Sequence, residues 1–354
     1  MTGFAKIEEI ISDAKNGKMF ILVDYEDREN DGDLIIPAEK CGNQEVNFMA
    51  KYGRGLICLA LEKDRIKKLG LPMMALNNDS RHQTAFTISI EAREGITTGI
   101  SAADRAKTIS DAINPDKNQR DIVSPGHIFP LQARQGGVLV RAGHTEASVD
   151  IAKLAGLNSS SVICEIMNDD GTMARRDDLF NFAKKHNLKI ATISDLIKYR
   201  TKNDKLINRI ATGEINSSFG GKFQTIDYQN KINNNHYKVL IYGKIESKND
   251  ILVRMHHLNF NNDILADNLG GNNNLAKSME IISKNGNGII VIFSGEENSD
   301  KIDKSQDNIL RNYGIGAQIL NDIGVKNMIL LSNFPKAIIG LEGYGLRIVD
   351  YKKI

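Results

Sequence analysis

Ten residues near the N-terminus carry six carboxylates and follow directly on an apolar run. The segment Asp24–Asp33 has aspartate or glutamate at six positions, and residues 19–23 before it are typical of a buried strand. Like charges this close repel one another, so a balancing cation is expected. Arg28 is one candidate, and a divalent cation with oxygen ligands, such as Mg2+, is the other. A solvated acidic turn is the ordinary alternative.

A calcium loop is a rival interpretation of the same acids. The spacing from Asp27 to Gly32 partly matches such a loop, in which a glycine falls at the sixth position. The twelfth position, where a bidentate glutamate belongs, is Ala38. The preceding segment is also predicted as a strand rather than a helix. We therefore discard the calcium loop.

Two loop segments further along could also do chemistry. Residues 95–101 are rich in glycine and hydroxyl groups and run into a predicted helix, whose free N–H groups could hold an anion. His127 lies between two prolines in a predicted turn, residues 124–131, where it could act as an acid or base. A cap provided by Ser101 and a locally hydrogen-bonded histidine are the simpler alternatives.

Charged residues also lie at the start of one predicted helix and within one predicted strand. Arg141, Thr145 and the N–H groups of a helix that begins near Gly143 could grip a phosphate, and His144 is a possible metal ligand. Capping by Thr145 is the alternative. Glu165 lies in a predicted apolar strand, where a carboxylate without a partner is costly. Such a group makes a good general acid or base, because burial favours its neutral form.

Composition restricts the class of protein. The chain has 354 residues, enough for two domains, with 25% charged and 41% hydrophobic residues, as in soluble globular proteins. A formal net charge of +2 gives no electrostatic case for nucleic acid or an anionic membrane, and no apolar run approaches the ~20 residues of a membrane helix. Three cysteines without metal-type spacing, and an N-terminus unlike a signal peptide, predict a cytoplasmic protein with free thiols.

Hydrophobic periodicity predicts alternating strands and helices up to about residue 200. Strands are predicted at residues 19–23, 55–61, 84–90, 136–140, 161–167 and 189–193. Helices are predicted at residues 5–14, 44–51, 64–69 and 179–186. One further helix is predicted to begin after Ser101, another to end at Leu154, and a last one to span residues 195–200 with Ser194 as the cap. The polar residues 201–205 predict a linker between a domain of residues 1–203 and one of residues 204–354. Strands in the second domain are predicted at 237–242, 250–255, 288–293 and 327–331.

Five motifs then occur in one order over roughly residues 5–200. They are Asp-x-Glu-Asp-Arg-Glu-Asn-x-Gly-Asp, Gly-x-Thr-Thr-Gly-Ile-Ser-Ala-x-Asp-Arg-Ala, Pro-Gly-His-x-Phe-Pro-Leu, Arg-x-Gly-His-Thr-Glu-Ala, and Cys-Glu followed by Asn-Asp-Asp-Gly-Thr-Met-Ala. In this combination they resemble the 3,4-dihydroxy-2-butanone 4-phosphate synthase family of riboflavin biosynthesis. One departure is Ser124, where many members have arginine.

The resemblance implies an α+β fold, with a mixed-sheet synthase domain and surrounding helices, and a homodimer. It implies a lyase dependent on Mg2+ or Mn2+ that converts D-ribulose 5-phosphate to formate and 3,4-dihydroxy-2-butanone 4-phosphate. Carried over by motif, the metal ligands are Glu29 and His144, and the catalytic residues are His127 and Glu165. The implied substrate contacts are Arg28, Glu29, Asp33, Thr98, Arg141, Gly143, His144, Thr145 and Glu165. Whether Cys58 has a role or only packs is left open.

The second domain resembles GTP cyclohydrolase II, an α/β domain, at residues 252–256, 311–320 and 341–346. That family holds zinc with three cysteines, and this chain has no cysteine after Cys164. Residues 268–272 stand where two of those cysteines would lie, and asparagine and leucine cannot replace thiolate ligands. We therefore expect no zinc and no cyclohydrolase activity. A bifunctional enzyme, or a regulatory or scaffold second domain, is the alternative.

Overall fold

The computed structural model describes residues 3–24, 31–75, 78, 84–232, 234–246, 248–258, 263, 273–293, 306–333 and 346–354. The chain divides into two compact units, Met1–Tyr199 and Arg200–Ile354. Each unit contains a mixed sheet and helices, which confirms the predicted α+β class. The described part of the chain contains no helix with the length and apolarity that a membrane crossing requires.

The first unit is organised around a mixed sheet of seven strands among the described residues. In chain order they are β1 (Phe20–Val23), β2 (Gly32–Pro37), β3 (Cys58–Glu62), β4 (Ile90–Ala92), β5 (Ile122–Ala133), β6 (Ser160–Glu165) and β7 (Lys189–Thr192). Across the sheet they lie in the order β4-β5-β3-β6-β2-β1-β7. The β3–β5 and β1–β7 pairs are parallel, and the other neighbouring pairs are antiparallel.

Helices cover both faces of this sheet. They are α1 (Ile7–Lys15), α2 (Asn43–Phe48), α3 (Lys63–Lys68), α4 (Ala102–Ile113), α5 (His144–Leu154), α6 (Arg176–His186) and α7 (Ile193–Asn203). Successive strand residues point to opposite faces, so Leu22 and Ile163 pack in one core with α1, α5 and α7. Ile21 and Val162 pack in a second core with α2, α4 and α6. Each fully buried Leu or Ile contributes about 1.5–3 kcal/mol.

The register brings two of the predicted catalytic residues to one end of the sheet. Cys58 at the start of β3 lies beside Phe129 of the parallel strand β5 and beside Ile163 of the antiparallel strand β6. His127 precedes Phe129 by two residues, and Glu165 follows Ile163 by two. Both therefore lie toward the N-terminal end of β3 and share a face, because side chains alternate along a strand.

The second unit has its own seven-stranded mixed sheet among the described residues. Its strands are β8 (Ile207–Ser217), β9 (Gly221–Asn230), β10 (His236–Tyr242), β11 (Asp250–His257), β12 (Gly288–Phe293), β13 (Asn327–Leu331) and β14 (Arg347–Lys352), and its helices are α8 (Asn274–Asn285) and α9 (Gln306–Ile323). The order across the sheet is β14-β13-β11-β12-β10-β9-β8. Phe223, Leu240, Leu252 and Ile290 are buried in its core. The four predicted strands are confirmed, whereas β8, β9 and β14 were missed.

Two predictions of secondary structure in the first unit were wrong: one predicted strand is a turn, and one predicted turn is part of a strand. Residues 136–140, predicted as a strand, contain a short 3-10 turn, because Gly136 and Gly137 have φ angles of 95° and 64°. An extended strand excludes positive φ angles. His127, predicted in a turn, lies within β5. The φ angle of proline is compatible with a strand wherever its missing N–H is not needed.

Three boundaries also differ from the predictions. Residues 84–89 form only isolated bridges, at Phe86 and Thr87, and β4 begins at Ile90. Ser194 lies inside α7 rather than at its cap, and the Thr192 hydroxyl accepts a hydrogen bond from the backbone N–H of Asp195 at 3.0 Å. Residues 201–203 of the predicted linker belong to α7.

Candidate active site

The two ends of the acidic segment meet beside the start of α5. Asp24 follows β1 and Asp31 precedes β2, and the backbone N–H of Asp24 donates to the carbonyl of Asp31 at 3.1 Å. Both side chains are buried. One ligand atom from each of Asp24, Asp31 and His144 lies within 4.8 Å of the other two. Arg28 and Glu29, two of the residues that the sequence analysis assigned in this segment, lie outside the described residues.

His144 is held in a defined orientation by the strands beneath it. Its Nε2 lies 3.2 Å from the carbonyl oxygen of Leu22, and its Nδ1 lies 3.7 Å from Oδ1 of Asp33. Asp33 pairs with Leu22 on one side and with Glu165 on the other. A hydrogen bond from Nε2–H to Leu22 leaves Nδ1 as the lone-pair nitrogen of a neutral ring, which is the form that binds a metal.

The donor set of this cluster fits a hard divalent cation. Carboxylate oxygens suit Mg2+ and Mn2+, and Asp24 and Asp31 supply them next to the imidazole of His144. Two carboxylates this close and this buried would repel each other strongly without a cation. The residues present therefore fit Mg2+ or Mn2+.

Arg141 is fixed in front of α5 by a buried acid. Its Nη1 lies 2.6 Å from Oε2 of Glu146, whose side chain is 1% exposed. The other carboxylate oxygen of Glu146 accepts from the backbone N–H of Arg134 at 3.0 Å. The guanidinium lies across Gly143, where a Cβ atom would be 2.4 Å from Nη1 of Arg141. Glu146 therefore holds Arg141 against the start of α5.

The start of α5 has no side-chain cap. The residue at the N-cap position is Gly143, and Thr145 lies within the first turn, so the simpler interpretation of Thr145 as a cap is wrong. Thr145 and His144 are both buried. The first N–H groups of a helix have no partner inside the helix, and with Arg141 beside them they form a favourable place for an anion.

Glu165 is positioned by a backbone N–H group. Its Oε2 accepts from the N–H of Leu56 at 2.8 Å. A Cβ atom at Gly55 would lie 2.6 Å from that Oε2 and 2.5 Å from the Glu165 carbonyl oxygen, so only glycine fits. The side chain was predicted as buried, and the structure places it half-buried at the end of β6.

Cys58 lies in the core on β3, beside the strand β6 that carries Glu165. It is a free and buried thiol, and burial, followed by the charges of Glu165 and Asp33, raises its pKa well above the ordinary value. The side chain is therefore a neutral thiol that packs beneath the site, and a neutral thiol is a poor nucleophile.

His127 contacts a carboxylate that the sequence analysis did not single out. Its Nδ1 makes a short hydrogen bond with Oε1 of Glu91 on β4. The His127 side chain is 44% exposed and that of Glu91 is 15% exposed. The two residues are 36 positions apart in the chain, and only the pairing of β4 with β5 brings them together.

Thr98 lies in a turn that is braced by Asp104. The carboxylate of Asp104 accepts from the Thr97 hydroxyl at 2.7 Å, from the Thr97 N–H at 3.1 Å and from the Gly99 N–H at 3.0 Å. These hydrogen bonds, foremost that of the Thr97 hydroxyl, lower the pKa of Asp104. Ser101 caps α4 by accepting from the Asp104 N–H at 3.0 Å, which confirms the simpler alternative for this segment. Thr98 itself is exposed.

The structure thus adds residues that the sequence analysis left unassigned. Asp24 and Asp31 were within the acidic segment, and the density of acids was the signal that could have identified them. Glu91 and the N–H of Leu56 carried no such signal, because a single acid in a strand and a backbone group form no motif.

Comparisons with known proteins identify the family of the chain. The family model for 3,4-dihydroxy-2-butanone 4-phosphate synthase matches residues 8–199, and the model for GTP cyclohydrolase II matches residues 208–353. A 3,4-dihydroxy-2-butanone 4-phosphate synthase of Photobacterium phosphoreum is 49% identical, over 97% of this chain and 98% of its own length.

Solved structures show the same architecture. A two-domain 3,4-dihydroxy-2-butanone 4-phosphate synthase from A. baumannii superposes with a TM-score of 0.85 at 41% identity, covering 98% of this chain and 99% of that chain. A 3,4-dihydroxy-2-butanone 4-phosphate synthase solved in complex with two magnesium ions has a TM-score of 0.55 at 39% identity, covering 56% of this chain and 98% of that one. The chain therefore belongs to the 3,4-dihydroxy-2-butanone 4-phosphate synthase family.

Proposed function

We propose that this protein converts D-ribulose 5-phosphate to 3,4-dihydroxy-2-butanone 4-phosphate and formate, a step of riboflavin biosynthesis. The observation that carries the proposal is the buried cluster of Asp24, Asp31 and His144, which lies beside Asp33 and the start of α5. A carboxylate-rich cation site next to an anion site suits a sugar phosphate, which offers adjacent oxygens at one end and a phosphate at the other.

The phosphate would be bound at the start of α5. The available groups are the guanidinium of Arg141, the backbone of Gly143, which has no side chain, and the hydroxyl of Thr145. Thr98 and Arg28 are further candidate contacts by resemblance. Because Glu146 already holds the guanidinium in place, little side-chain entropy is lost when the phosphate binds.

The metal would be held by His144 with Asp24 and Asp31, and by Glu29 through the resemblance. A bound Mg2+ or Mn2+ would stabilise negative charge that develops on the sugar oxygens. Asp33, whose Oδ1 lies 3.7 Å from Nδ1 of His144, would accept a hydrogen bond from a sugar hydroxyl.

His127 and Glu165 would transfer the protons. The reaction removes a proton next to a carbonyl, loses water, migrates a carbon, takes up water again and expels formate, so it needs groups that both accept and return protons. Both residues lie toward one end of the sheet on one face. Glu165 is fixed by the Leu56 N–H and His127 by Glu91, so each group has a defined direction.

A direct test follows the substrate itself. Phosphorus NMR of D-ribulose 5-phosphate with the purified protein and Mg2+ should show the substrate signal replaced by one new phosphate ester. Chelation of the metal should stop the conversion, and added Mg2+ should restore it. A metal-loaded protein that leaves D-ribulose 5-phosphate unchanged would overturn the proposal.

We further propose that the second unit has no GTP cyclohydrolase activity. The three cysteines of the chain, Cys41, Cys58 and Cys164, all belong to the first unit, so the second unit cannot supply thiolate ligands to zinc. The segments that would carry the missing motifs, residues 268–272 and 294–299, lie outside the described residues. Zinc bound at one ion per chain would contradict this proposal.

We also propose a homodimer in the cytoplasm. Buried, unpaired cysteines agree with a reducing compartment, and the dimer is the expectation of the family resemblance. Light scattering coupled to size-exclusion chromatography should give twice the chain mass of 39.2 kDa. A mass of one chain would contradict the dimer.

A further inference from the structure

We propose that Glu91 is a positioning residue that sets the tautomer of His127. The inference rests on the proposed function, in which His127 transfers a proton. Glu91 lies on β4 and His127 on the neighbouring strand β5, and the short hydrogen bond joins Oε1 of Glu91 to Nδ1 of His127.

The chemistry of the two groups decides which nitrogen carries the proton. An ionised carboxylate can only accept hydrogen bonds, so Nδ1 of a neutral His127 must be the donor. The Nε2 atom, on the other side of the ring, then has the lone pair. Because the ring is 44% exposed, Nε2 is available to take a proton from a substrate. In the opposite tautomer Nε2 would carry a hydrogen and could not act as a base.

The backbone at two glycines lies close against the Glu91 side chain. A Cβ atom at Gly99 would lie 1.6 Å from Oε1 of Glu91, and one at Gly126 would lie 2.6 Å from its Cγ. Gly126 precedes His127 directly, and its N–H donates to the Ser89 hydroxyl at 3.1 Å. The backbone therefore closes around the Glu91 side chain and leaves no space for a larger neighbour.

The brace extends to the start of α4. The N–H of Gly99 donates to Asp104 at 3.0 Å, and the same carboxylate holds both the hydroxyl and the N–H of Thr97. The turn that presses on Glu91 is thus fixed by three hydrogen bonds to a single residue. An ordinary exposed ion pair has no such support and orders its partner weakly. This arrangement suits a residue that must hold a ring at one angle.

The test replaces Glu91 by glutamine. An amide of the same shape can donate or accept, so in E91Q the preference for Nδ1–H should be lost. Nitrogen-15 NMR of the seven histidines reports the tautomer of each ring, and the H127N variant identifies the His127 signals. The wild type should show protonated Nδ1 in the neutral ring, and E91Q a mixture or the opposite tautomer.

Kinetics supply the second readout. We expect E91Q to lower kcat by about 10- to 100-fold, with KM for D-ribulose 5-phosphate within about twofold, because the ring is misoriented while the phosphate and metal contacts remain. E91D keeps a carboxylate and should keep Nδ1–H and part of the activity. The matched control is E94Q, the same change at an exposed acid three residues further along, and it should match the wild type in both readouts.

Each result of the NMR and kinetic measurements either supports or overturns the proposed role of Glu91. An unchanged His127 tautomer in E91Q would overturn the inference, as would a changed tautomer with unchanged kcat. If E91Q fails to fold, loss of Nδ1–H in E91D would overturn it and retention of Nδ1–H would support it. A wild-type protein without lyase activity would overturn the proposed function, and the NMR comparison would still show whether Glu91 sets the tautomer.

Discussion

The acids around the site differ in their partners, and the partner determines what each acid can do. Glu146 is neutralised by Arg141, and the Glu91 carboxylate is bound by the His127 ring. Glu165 accepts from a neutral backbone N–H, which fixes the direction of its carboxylate without adding a charge. Asp24 and Asp31 share one small volume with His144, which is the arrangement that a cation favours.

At this scale, Asp31→Asn should weaken metal binding. An amide oxygen lacks the charge of a carboxylate, so the Mg2+ concentration that gives half-maximal activity should rise by at least about 10-fold. Turnover should return toward the wild-type value at high Mg2+. The control is Asp116→Asn, at an exposed aspartate of the same unit. An unchanged Mg2+ requirement would remove Asp31 from the metal site.

Gly143→Ala should weaken substrate binding through Arg141. The φ angle of Gly143 is −122°, which alanine adopts readily, but its Cβ would lie 2.4 Å from the Arg141 guanidinium. The arginine must therefore move, and KM should rise several-fold more than kcat falls. Gly42→Ala is the matched control, because Gly42 is also an N-cap with negative φ and its Cβ would meet only Glu45, at 3.2 Å. Equal KM values for both variants would contradict the role of Arg141.

At the scale of elements, the strand pairings decide which acids meet. The acidic segment was visible in the sequence, but β2 was missed because charged residues surround its apolar core. Without β2, nothing predicts that the β1–β2 pair brings Asp24 to Asp31. The contact between Glu91 and His127 likewise depends on β4 lying beside β5. Sequence periodicity identifies strands but carries no information on their neighbours.

The turn before α4 should respond to pH through Asp104. Hydrogen bonds, foremost from the Thr97 hydroxyl, hold the pKa of Asp104 below its ordinary value of 3.8. A carboxylate with a lowered pKa in the folded state stabilises the protein above its unfolded pKa, and this stability is lost as the pH falls through the folded pKa. Asp104→Asn should therefore lower the Tm between about pH 5 and 8.

The same variant can be compared with the wild type at low pH. Below about pH 4 the Asp104 carboxylate of the unfolded wild-type chain begins to be protonated, while that of the folded protein stays ionised to lower pH. The difference in Tm between the wild type and Asp104→Asn should therefore narrow as the pH falls further. Thermal scans of both proteins at several pH values provide the measurement. A difference that stays constant into the acid range would show that Asp104 does not stabilise the turn through its charge.

At the scale of the whole molecule, the two units share the α+β class but differ in the functional residues that they contain. The residues proposed for metal, phosphate and proton transfer all belong to the first unit. Sequence reasoning reached most of them through motifs that keep a fixed order. It reached less of the second unit, because three of its strands, β8, β9 and β14, lie in segments without a clear apolar alternation, such as residues 207–217.

The proposed activities of both units can be tested in one experiment, formate release measured in parallel on D-ribulose 5-phosphate and on GTP, because both reactions expel formate. The full-length protein with Mg2+ should release formate from D-ribulose 5-phosphate at the rate at which the substrate disappears. It should release none from GTP, with or without added zinc. Formate from GTP would contradict the proposed loss of function in the second unit. No formate from D-ribulose 5-phosphate would contradict the proposed lyase activity of the first unit.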